Sequence, residues 1–228
     1  AIVSHDAGGA EILSSWLKMK NFSYSLSVSG PAENIFKHKL GGIKNQALNQ
    51  VIDNSDWVLT GTSWASDLEY RAIALAKQEK KFVVSFLDHW VHYRERFNWH
   101  GPEILPDEIW IGDEDARVLA EKTFCNSTIR LVENPYWAEF SSMYQTKVEN
   151  KKSGNDVRLL YLSSNIDGIR EKRKTVTYTD SDIWETFANN IFQVIDKNDL
   201  KQISIRRHPS EEKSKFNDYS LDNISVLM

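Results

Sequence analysis

The 228-residue chain is long enough for one large or two small domains. Hydrophobic residues make up 41% of it and charged residues 26%, and the formal net charge is −4. These values are those of a soluble globular protein, and they exclude a disordered chain, a fibre and a disulfide scaffold. The mild acidity also argues against a nucleic-acid partner, because phosphate binding needs Lys and Arg clustered on one face.

The sequence lacks the patterns of a membrane-spanning or secreted segment. No apolar run approaches the roughly 20 residues that a membrane helix needs, and the first residues lack the basic start of a signal peptide. We therefore expect a cytoplasmic protein. Because the chain opens without Met and stops just after the apolar stretch 224–228, we interpret it as part of a longer sequence.

Short apolar runs alternate along the chain with segments of helical period, which is typical of a parallel sheet covered by helices. At the start, the pattern predicts a strand over 1–4, a turn over 5–9 and a helix over 10–20. Further strands are predicted over 22–28, 56–60, 82–87, 108–112 and 129–132. Ser66 and Glu69 predict a capping box that starts the helix after the third strand.

A stretch rich in Lys, Ser, Gly and Asn, residues 147–156, has the composition of a linker. Beyond it the alternation resumes with a strand, a helix start and a strand, predicted over 157–162, near 179–182 and over 202–206. The sequence therefore predicts an α/β fold with two Rossmann-like units, 1–146 and 157–228. The second unit is predicted to be incomplete, since it has about half the strands it would need to stand alone.

Ligands of open α/β sheets bind outside the carboxyl ends of the strands. The first of these ends carries Gly8 and Gly9, whose backbone amides can approach a ligand at a helix N-terminus. A tight strand-to-helix turn is the alternative explanation for this glycine pair. Ser63 follows the third strand and is expected at the same edge of the sheet.

Two pairs of an acid and an imidazole also follow predicted strands: His5 with Asp6, and Asp88 with His89. Each pair offers a general base to a substrate, and a structural hydrogen bond is the alternative for each. Asp88 opens a long loop over 88–101, and long loops inside compact domains are usually functional. A third interpretation is a metal site formed by Asp88 with His89, His92 and His100. No recognised ligand pattern accompanies these residues, so no metal is expected.

In the second unit, one predicted strand ends in a cationic cluster formed by Arg206, Arg207 and His208. Two guanidiniums and an imidazole suit a phosphate or a carboxylate. Ser163 and Ser164 follow the preceding strand and can add hydroxyl and amide donors to the same anion. A solvated charged turn is the alternative. The basic run 170–174 is interpreted as a solvated loop, and a segment that closes over the phosphates is the alternative for it.

Several familiar motifs are missing from the chain. There is no phosphate-binding P-loop, no dinucleotide fingerprint and no nucleophile elbow, which argues against P-loop phosphoryl transfer, a dinucleotide dehydrogenase and a serine hydrolase. Three tryptophans, Trp64, Trp90 and Trp99, fall near predicted strand ends, where their rings can stack on sugars.

The layout of residues 56–63, a helix and residues 81–89 resembles that of GT-B-type glycosyltransferases of bacterial surface-polysaccharide synthesis. It is also similar to the related UDP-GlcNAc 2-epimerases. Arg207-His208-Pro209 resembles the His-Pro motif of bacterial sialyltransferases and glycerophosphate polymerases. That likeness implies that His208 contacts the phosphate of a cytidine nucleotide. The resemblance to the GT-B architecture implies an acceptor-side domain over 1–146 and a nucleotide-side domain over 157–228.

The resemblance implies a metal-independent transferase without a cofactor, which moves a sugar or a polyol phosphate from a CMP- or UDP-linked donor to a glycan acceptor. The expected catalytic residues are Asp88, His89, Asp6 and His5. The expected nucleotide- and phosphate-binding residues are His208, Arg206, Arg207, Ser163 and Ser164. The expected acceptor-binding residues are Gly8, Gly9, Ser63, Trp64 and Trp90. A UDP-sugar 2-epimerase or hydrolase and a non-catalytic glycan-binding protein are the alternatives, and a surface-glycan acceptor is compatible with peripheral membrane association.

Overall fold

The protein is described here by a computed structural model, which covers residues 1–20, 22–63, 65–144, 157–172, 175–208, 211–221 and 224–227. The chain divides into two compact units, Ala1–Glu149 and Asn150–Met228. Each unit contains its own parallel sheet and its own hydrophobic core, and the expected α/β fold class is confirmed. In the ranges just given, no helix is long and apolar enough to cross a membrane.

The first unit is built on a six-stranded parallel sheet with the order β2-β1-β3-β4-β5-β6. Its strands are β1 (Ile2–Ser4), β2 (Leu26–Val28), β3 (Trp57–Thr60), β4 (Phe82–Leu87), β5 (Glu108–Ile111) and β6 (Thr128–Leu131). Its helices are α1 (Ala7–Met19), α2 (Pro31–Leu40), α3 (Leu48–Asp53), α4 (Leu68–Gln78), α5 (Glu114–Thr123) and α6 (Pro135–Tyr144). From β1 the chain runs outward to β2 and then returns to β3 on the other side. The strand order therefore reverses at β1 and β3, which is where open α/β sheets bind ligands.

The central strands are apolar on both faces because helices cover both sides of the sheet. In β4, Val83 and Leu87 belong to one core cluster, whereas Val84 and Phe86 belong to the cluster on the opposite face. All four side chains are at most 1% exposed. A continuous apolar run of this kind is a local property, and β4 therefore has the bounds that its sequence predicts.

The second unit is a three-stranded parallel sheet with the order β7-β8-β9. Its elements are β7 (Val157–Leu162), α7 (Ile166–Lys172), α8 (Asp180–Asn190), β8 (Leu200–Arg206) and β9 (Ser225–Leu227). Trp184, Ile203 and Phe216 form the centre of its core. Residues along β7 alternate between half-buried and exposed, and Leu160 and Leu162 are 58% and 64% exposed. The described helices therefore cover one face of this sheet.

Two predicted helix starts differ from the structure. Helix α1 begins at Ala7, so Gly8 and Gly9 lie in its first turn and not in the predicted loop. The predicted capping box at Ser66 and Glu69 is wrong: α4 begins after Asp67, and the Glu69 side chain is buried. A capping box needs a carboxylate at the helix surface, and Glu69 faces the interior instead.

The expected solvated loop at 170–174 is corrected in part. Residues 170–172 form the last turn of α7, and residues 173 and 174 lie outside the described part of the chain. The helix start near 179–182 is confirmed, because Thr179 and Asp182 form a capping box at the start of α8. The two residues of this capping box lie within four positions of each other, so the local sequence is sufficient to predict it.

Candidate functional site

The carboxyl ends of β1, β3 and β4 meet at one edge of the first unit's sheet. Val3 is in register with Thr60, and Thr60 is in register with Ser85. The hydroxyl groups of Thr60 and Ser85 are hydrogen-bonded to each other at 2.7 Å in the buried last layer of the sheet. The residues that follow these three strands are consequently neighbours in space, as the sequence predicted for this edge.

The first group of polar side chains at this edge joins β1 to β3. His5 Nδ1 lies 2.8 Å from Asp6 Oδ1, and the Ser63 hydroxyl donates to the same Asp6 oxygen at 2.8 Å. The side chains of His5 and Asp6 are 21% and 24% exposed, so both reach solvent. A carboxylate that holds an imidazole through Nδ1 fixes the ring's tautomer and orientation.

Beneath this group lies a buried acid that the sequence analysis had assigned to a helix cap. The backbone N–H of His5 donates to Glu69 Oε1 at 2.6 Å, and Glu69 is 2% exposed. Burial raises the pKa of the Glu69 carboxyl to about 7, although the hydrogen bond from His5 acts in the opposite direction. Glu69 therefore attaches α4 to the start of the His5–Asp6 segment.

The second group of polar side chains joins β3 to β4. The Thr62 hydroxyl donates to Asp88 Oδ1 at 3.2 Å, and Arg96 Nη1 donates to the Thr62 hydroxyl at 3.1 Å. Arg96 Nη1 lies 3.7 Å from Asp88 Oδ1, and both side chains are nearly buried. Burial raises the pKa of the Asp88 carboxyl above its ordinary value, although the Arg96 charge opposes this shift.

The glycines at the start of α1 allow close packing against these groups. A Cβ on Gly8 would lie 2.2 Å from Asp88 Oδ2, and a Cβ on Gly9 would lie 3.2 Å from the Cα of Gly61. A side chain at either position would therefore displace its neighbour. This close approach explains the glycine pair, and it puts the N-terminus of α1 beside the Asp88 carboxyl.

A cavity of about 650 Å³ opens beside Asp88, and the described residues that line it belong to the first unit. Its walls come from the start of α1 and from the segments that follow β4, β5 and β6. Aromatic rings form much of the wall: Trp90, Tyr136 and Trp137. Trp90 is 58% exposed, and its ring N–H donates to Asp113 Oδ1 at 3.2 Å. An apolar cavity with a few polar groups at its floor is the usual form of a small-molecule site.

The structure thus brings together most of the candidate residues predicted for the first unit. Gly8, Asp88, His89 and Trp90 line the cavity. His5, Asp6, Gly9 and Ser63 lie at the same sheet edge, and Trp64 lies outside the described residues. The sequence analysis missed the contribution of Arg96, Tyr136 and Trp137. Helix α6 contains both of those aromatic residues, and no helix was predicted there.

In the second unit, the predicted phosphate donors surround a buried acid that the sequence analysis missed. Glu211 is 6% exposed, and its carboxylate accepts the Ser163 hydroxyl at 2.7 Å and the His208 backbone N–H at 2.6 Å. Arg207 Nη1 donates to the Glu211 backbone carbonyl at 2.6 Å. The Ser163 hydroxyl and one Arg207 donor are therefore used inside the unit. The other three residues predicted to bind phosphate are exposed: Arg206, His208 and Ser164.

Lys215 lies beside Glu211, and its ammonium group contacts three carboxylates. Its ammonium group is within 3.0 Å of Asp167, Asp180 and Glu211 oxygens. Burial alone would lower the pKa of Lys215, but hydrogen bonds to these carboxylates raise it above its ordinary value. Its positive charge is therefore balanced by carboxylates within the unit.

Across the described ranges, no three or more His, Cys, Asp and Glu side chains are arranged to hold a metal ion.

No protein-family model matches the chain, and no curated protein matches it in sequence. Among solved structures, the fold is similar to that of UDP-GlcNAc 2-epimerase from Methanocaldococcus jannaschii, with a TM-score of 0.59. The likeness covers 99% of this chain and 72% of that one, at 15% sequence identity. At this level of identity it shows the fold alone. The chain therefore has a Rossmann-like fold related to the GT-B architecture.

Proposed function

We propose that the protein is an enzyme that acts on a nucleotide sugar and transfers the sugar to a glycan acceptor. The observation that supports this proposal is the buried Asp88 carboxyl beside the aromatic-walled cavity. A cavity of about 650 Å³ is large enough for a drug-sized ligand, and a glycan acceptor is of that size. The flat faces of Trp90 and Trp137 suit the apolar faces of sugar rings.

In the proposed reaction, Asp88 accepts the proton of the acceptor hydroxyl while that oxygen attacks the anomeric carbon of the donor. The bond from that carbon to the nucleotide's phosphate oxygen breaks, and the phosphate leaves with the bonding electrons. A carboxyl whose pKa lies above its ordinary value is a stronger base when ionised, which favours this proton transfer. The pair of His5 and Asp6 is the alternative base at the same edge.

The second unit is proposed to bind the phosphate of the nucleotide. Arg206 and His208 are exposed at the carboxyl end of β8, and a guanidinium and an imidazole suit a phosphate. This proposal narrows the predicted phosphate-binding set, because Glu211 already binds the Ser163 hydroxyl and the His208 backbone N–H. Accordingly, His208→Gln is expected to weaken nucleotide binding without unfolding the unit.

A second candidate function is 2-epimerisation of a UDP-sugar, and the fold likeness to UDP-GlcNAc 2-epimerase favours it. In that case the acid–base groups at the sheet edge would act on the sugar itself, and no acceptor would be consumed. Product analysis separates the two functions: transfer requires an added acceptor, whereas epimerisation proceeds on the nucleotide sugar alone.

The test begins with a thermal-shift screen of CMP, CDP, UDP and GDP, followed by product analysis with the matching nucleotide sugars. Asp88→Asn is expected to lower turnover by about 10²–10⁴-fold, which is typical for the loss of a general base. Asp67→Asn is the matched control, because Asp67 is 42% exposed and makes no side-chain cap bond. Oligosaccharide binding without any nucleotide affinity would instead indicate a glycan-binding protein.

A further inference from the structure

The loop that follows β4 inserts an arginine into the interior of the first unit. Residues Arg94–Phe97 form one turn of 3₁₀ helix, and Phe97 at its end is completely buried. The Phe97 ring packs against Phe124 at 5.5 Å, and Tyr93 stacks on the same ring at 6.2 Å. These two aromatic anchors hold the turn against the core, so Arg96 between them has a fixed position.

Arg96 is 5% exposed, which is rare for an arginine. Its Nη1 reaches the Thr62 hydroxyl at 3.1 Å and the Thr62 carbonyl at 3.4 Å. Its Nε is buried and has no hydrogen-bond partner in the described part of the chain. A buried cation with an unsatisfied donor costs stability, and this cost indicates a role beyond folding.

We propose that Arg96 is a positioning residue that keeps the Asp88 carboxylate charged and oriented toward the cavity. The proposal rests on the function proposed above, in which Asp88 is the base. The guanidinium lies 3.7 Å from Asp88 Oδ1, and the Thr62 hydroxyl bridges the two groups. Without this cation, an ionised Asp88 would be a buried charge with no opposite charge close to it. A carboxyl in that environment takes up a proton instead.

The other groups around Asp88 contribute less to its charge balance. His89 is the next residue along the chain and is exposed, and the start of α1 at Gly8 presents the positive end of a helix. The cavity wall also carries acidic side chains, which cannot balance the charge of an ionised Asp88: Glu11, Asp113 and Asp115. Arg96 is therefore the buried cation that faces Asp88 from the loop.

The first test measures the titration of Asp88 directly, so it does not depend on any activity. Protein with ¹³C-labelled aspartate carboxyls is titrated by NMR, and Asp88→Asn assigns the signal. In Arg96→Gln the Asp88 signal is expected to titrate at higher pH, because an opposite charge at this distance typically lowers a carboxyl pKa by about 1–3 units. Arg96→Lys keeps the charge and is expected to restore most of the wild-type titration.

Arg94→Gln is the matched control on the same turn. Arg94 is 61% exposed and pairs with Glu103, so its loss is expected to leave the Asp88 signal unchanged. If the protein is active, the acidic limb of its pH–rate profile should move upward in Arg96→Gln and not in Arg94→Gln. An unchanged Asp88 titration in folded Arg96→Gln would overturn the role of Arg96. Loss of the proposed function would appear separately, as absence of turnover in the wild-type protein.

A second measurement covers the case in which Arg96→Gln is too unstable to titrate. If Arg96 balances the charge of Asp88, its replacement should be better tolerated once that charge is gone. We therefore expect Arg96→Gln to lower the urea midpoint less in an Asp88→Asn background than in the wild type, at pH 8. Equal decreases of the urea midpoint in both backgrounds would show that Arg96 has a purely structural role and would overturn the proposal.

Discussion

Glu69 illustrates at the level of a single residue how burial and a hydrogen bond oppose each other. One carboxyl oxygen accepts the His5 N–H, while Oε2 is buried and has no hydrogen-bond partner among the residues described. Desolvation is the larger effect, and it raises the pKa of Glu69 to about 7. A protonated Glu69 keeps the hydrogen bond from His5 at Oε1 and avoids the burial of a charge.

This carboxyl makes the stability of the first unit depend on pH. The folded state holds the proton up to about pH 7, whereas the unfolded chain releases it near the ordinary glutamate pKa of 4.5. The stabilisation is therefore complete below pH 4.5 and is lost as the pH rises to about 7, by about 3 kcal/mol. Urea unfolding between pH 4.5 and 8 should show this decline in the wild type and not in Glu69→Gln. A decline of equal size in Glu69→Gln would contradict the assignment, and the exposed Glu79→Gln serves as the control.

At the level of elements, the first turn of α1 packs against two different kinds of neighbour. Gly8 faces the end of the Asp88 side chain, whereas Gly9 faces the backbone of Gly61 and the buried Ser4 hydroxyl. A side-chain carboxyl can rotate away from a new methyl group, but the backbone that directly follows a central strand cannot. Substitutions at the two adjacent glycines should therefore have different consequences.

Gly8→Ala is expected to impair the site more than the fold. The added methyl group would lie 2.2 Å from Asp88 Oδ2 and must push that carboxyl out of its place. Alanine is also the better helix former by roughly 1 kcal/mol, and this gain offsets the cost of displacing the carboxyl. The stability of the fold should therefore be nearly unchanged. The measurement is nucleotide-sugar turnover together with the thermal midpoint. A variant with full turnover would show that the position of Asp88 is unimportant.

Gly9→Ala is expected to impair the fold directly. Its methyl group would lie 3.2 Å from the Gly61 Cα and 3.4 Å from the Ser4 Oγ, so α1 must move away from the sheet. Overpacking of this kind costs about 1–3 kcal/mol. Chemical denaturation would measure the loss. An unfolding free energy equal to that of the wild type would mean that α1 can shift without cost.

At the level of the whole molecule, the two units have separate cores. The clusters in the first unit flank its six-stranded sheet, and the cluster around Ile203 belongs to the second unit. Each unit also has its own polar groups at strand ends. The first carries Asp6 and Asp88 with their hydrogen-bond partners, and the second carries exposed cations around the Glu211–Lys215 network.

A mutation that leaves a cavity in the core of one unit should therefore destabilise mainly that unit. Ile203→Ala removes a side chain that is 0% exposed, which costs about 2–5 kcal/mol. Amide hydrogen exchange is expected to speed up in β7 and β8 and to stay unchanged in β4 and β5. The matched variant Ile109→Ala, also 0% exposed, should give the opposite pattern. Faster exchange in both sheets for either variant would show that the units unfold together.

The local pattern of apolar residues was sufficient to determine the α/β class and most of the strands. β4 and β7 have the bounds predicted for them, because an apolar or alternating run between polar residues is a local property. The edge of the sheet that carries Asp6, Ser63 and Asp88 was also predictable, since parallel strands all end on the same side.

The contacts that set the chemistry of the site arise from tertiary structure. Glu69 meets His5 across 64 residues of sequence, and Ser163 meets Glu211 across 48. Even Arg96, only eight positions after Asp88, reaches it because Tyr93 and Phe97 anchor the turn in the core. Strand patterns depend on which residues are apolar, whereas the charge and proton affinity of a side chain depend on what folding packs around it. The sequence alone therefore determined the scaffold and the sheet edge of the candidate site, and only the tertiary structure decided which acids are buried and which cations face them.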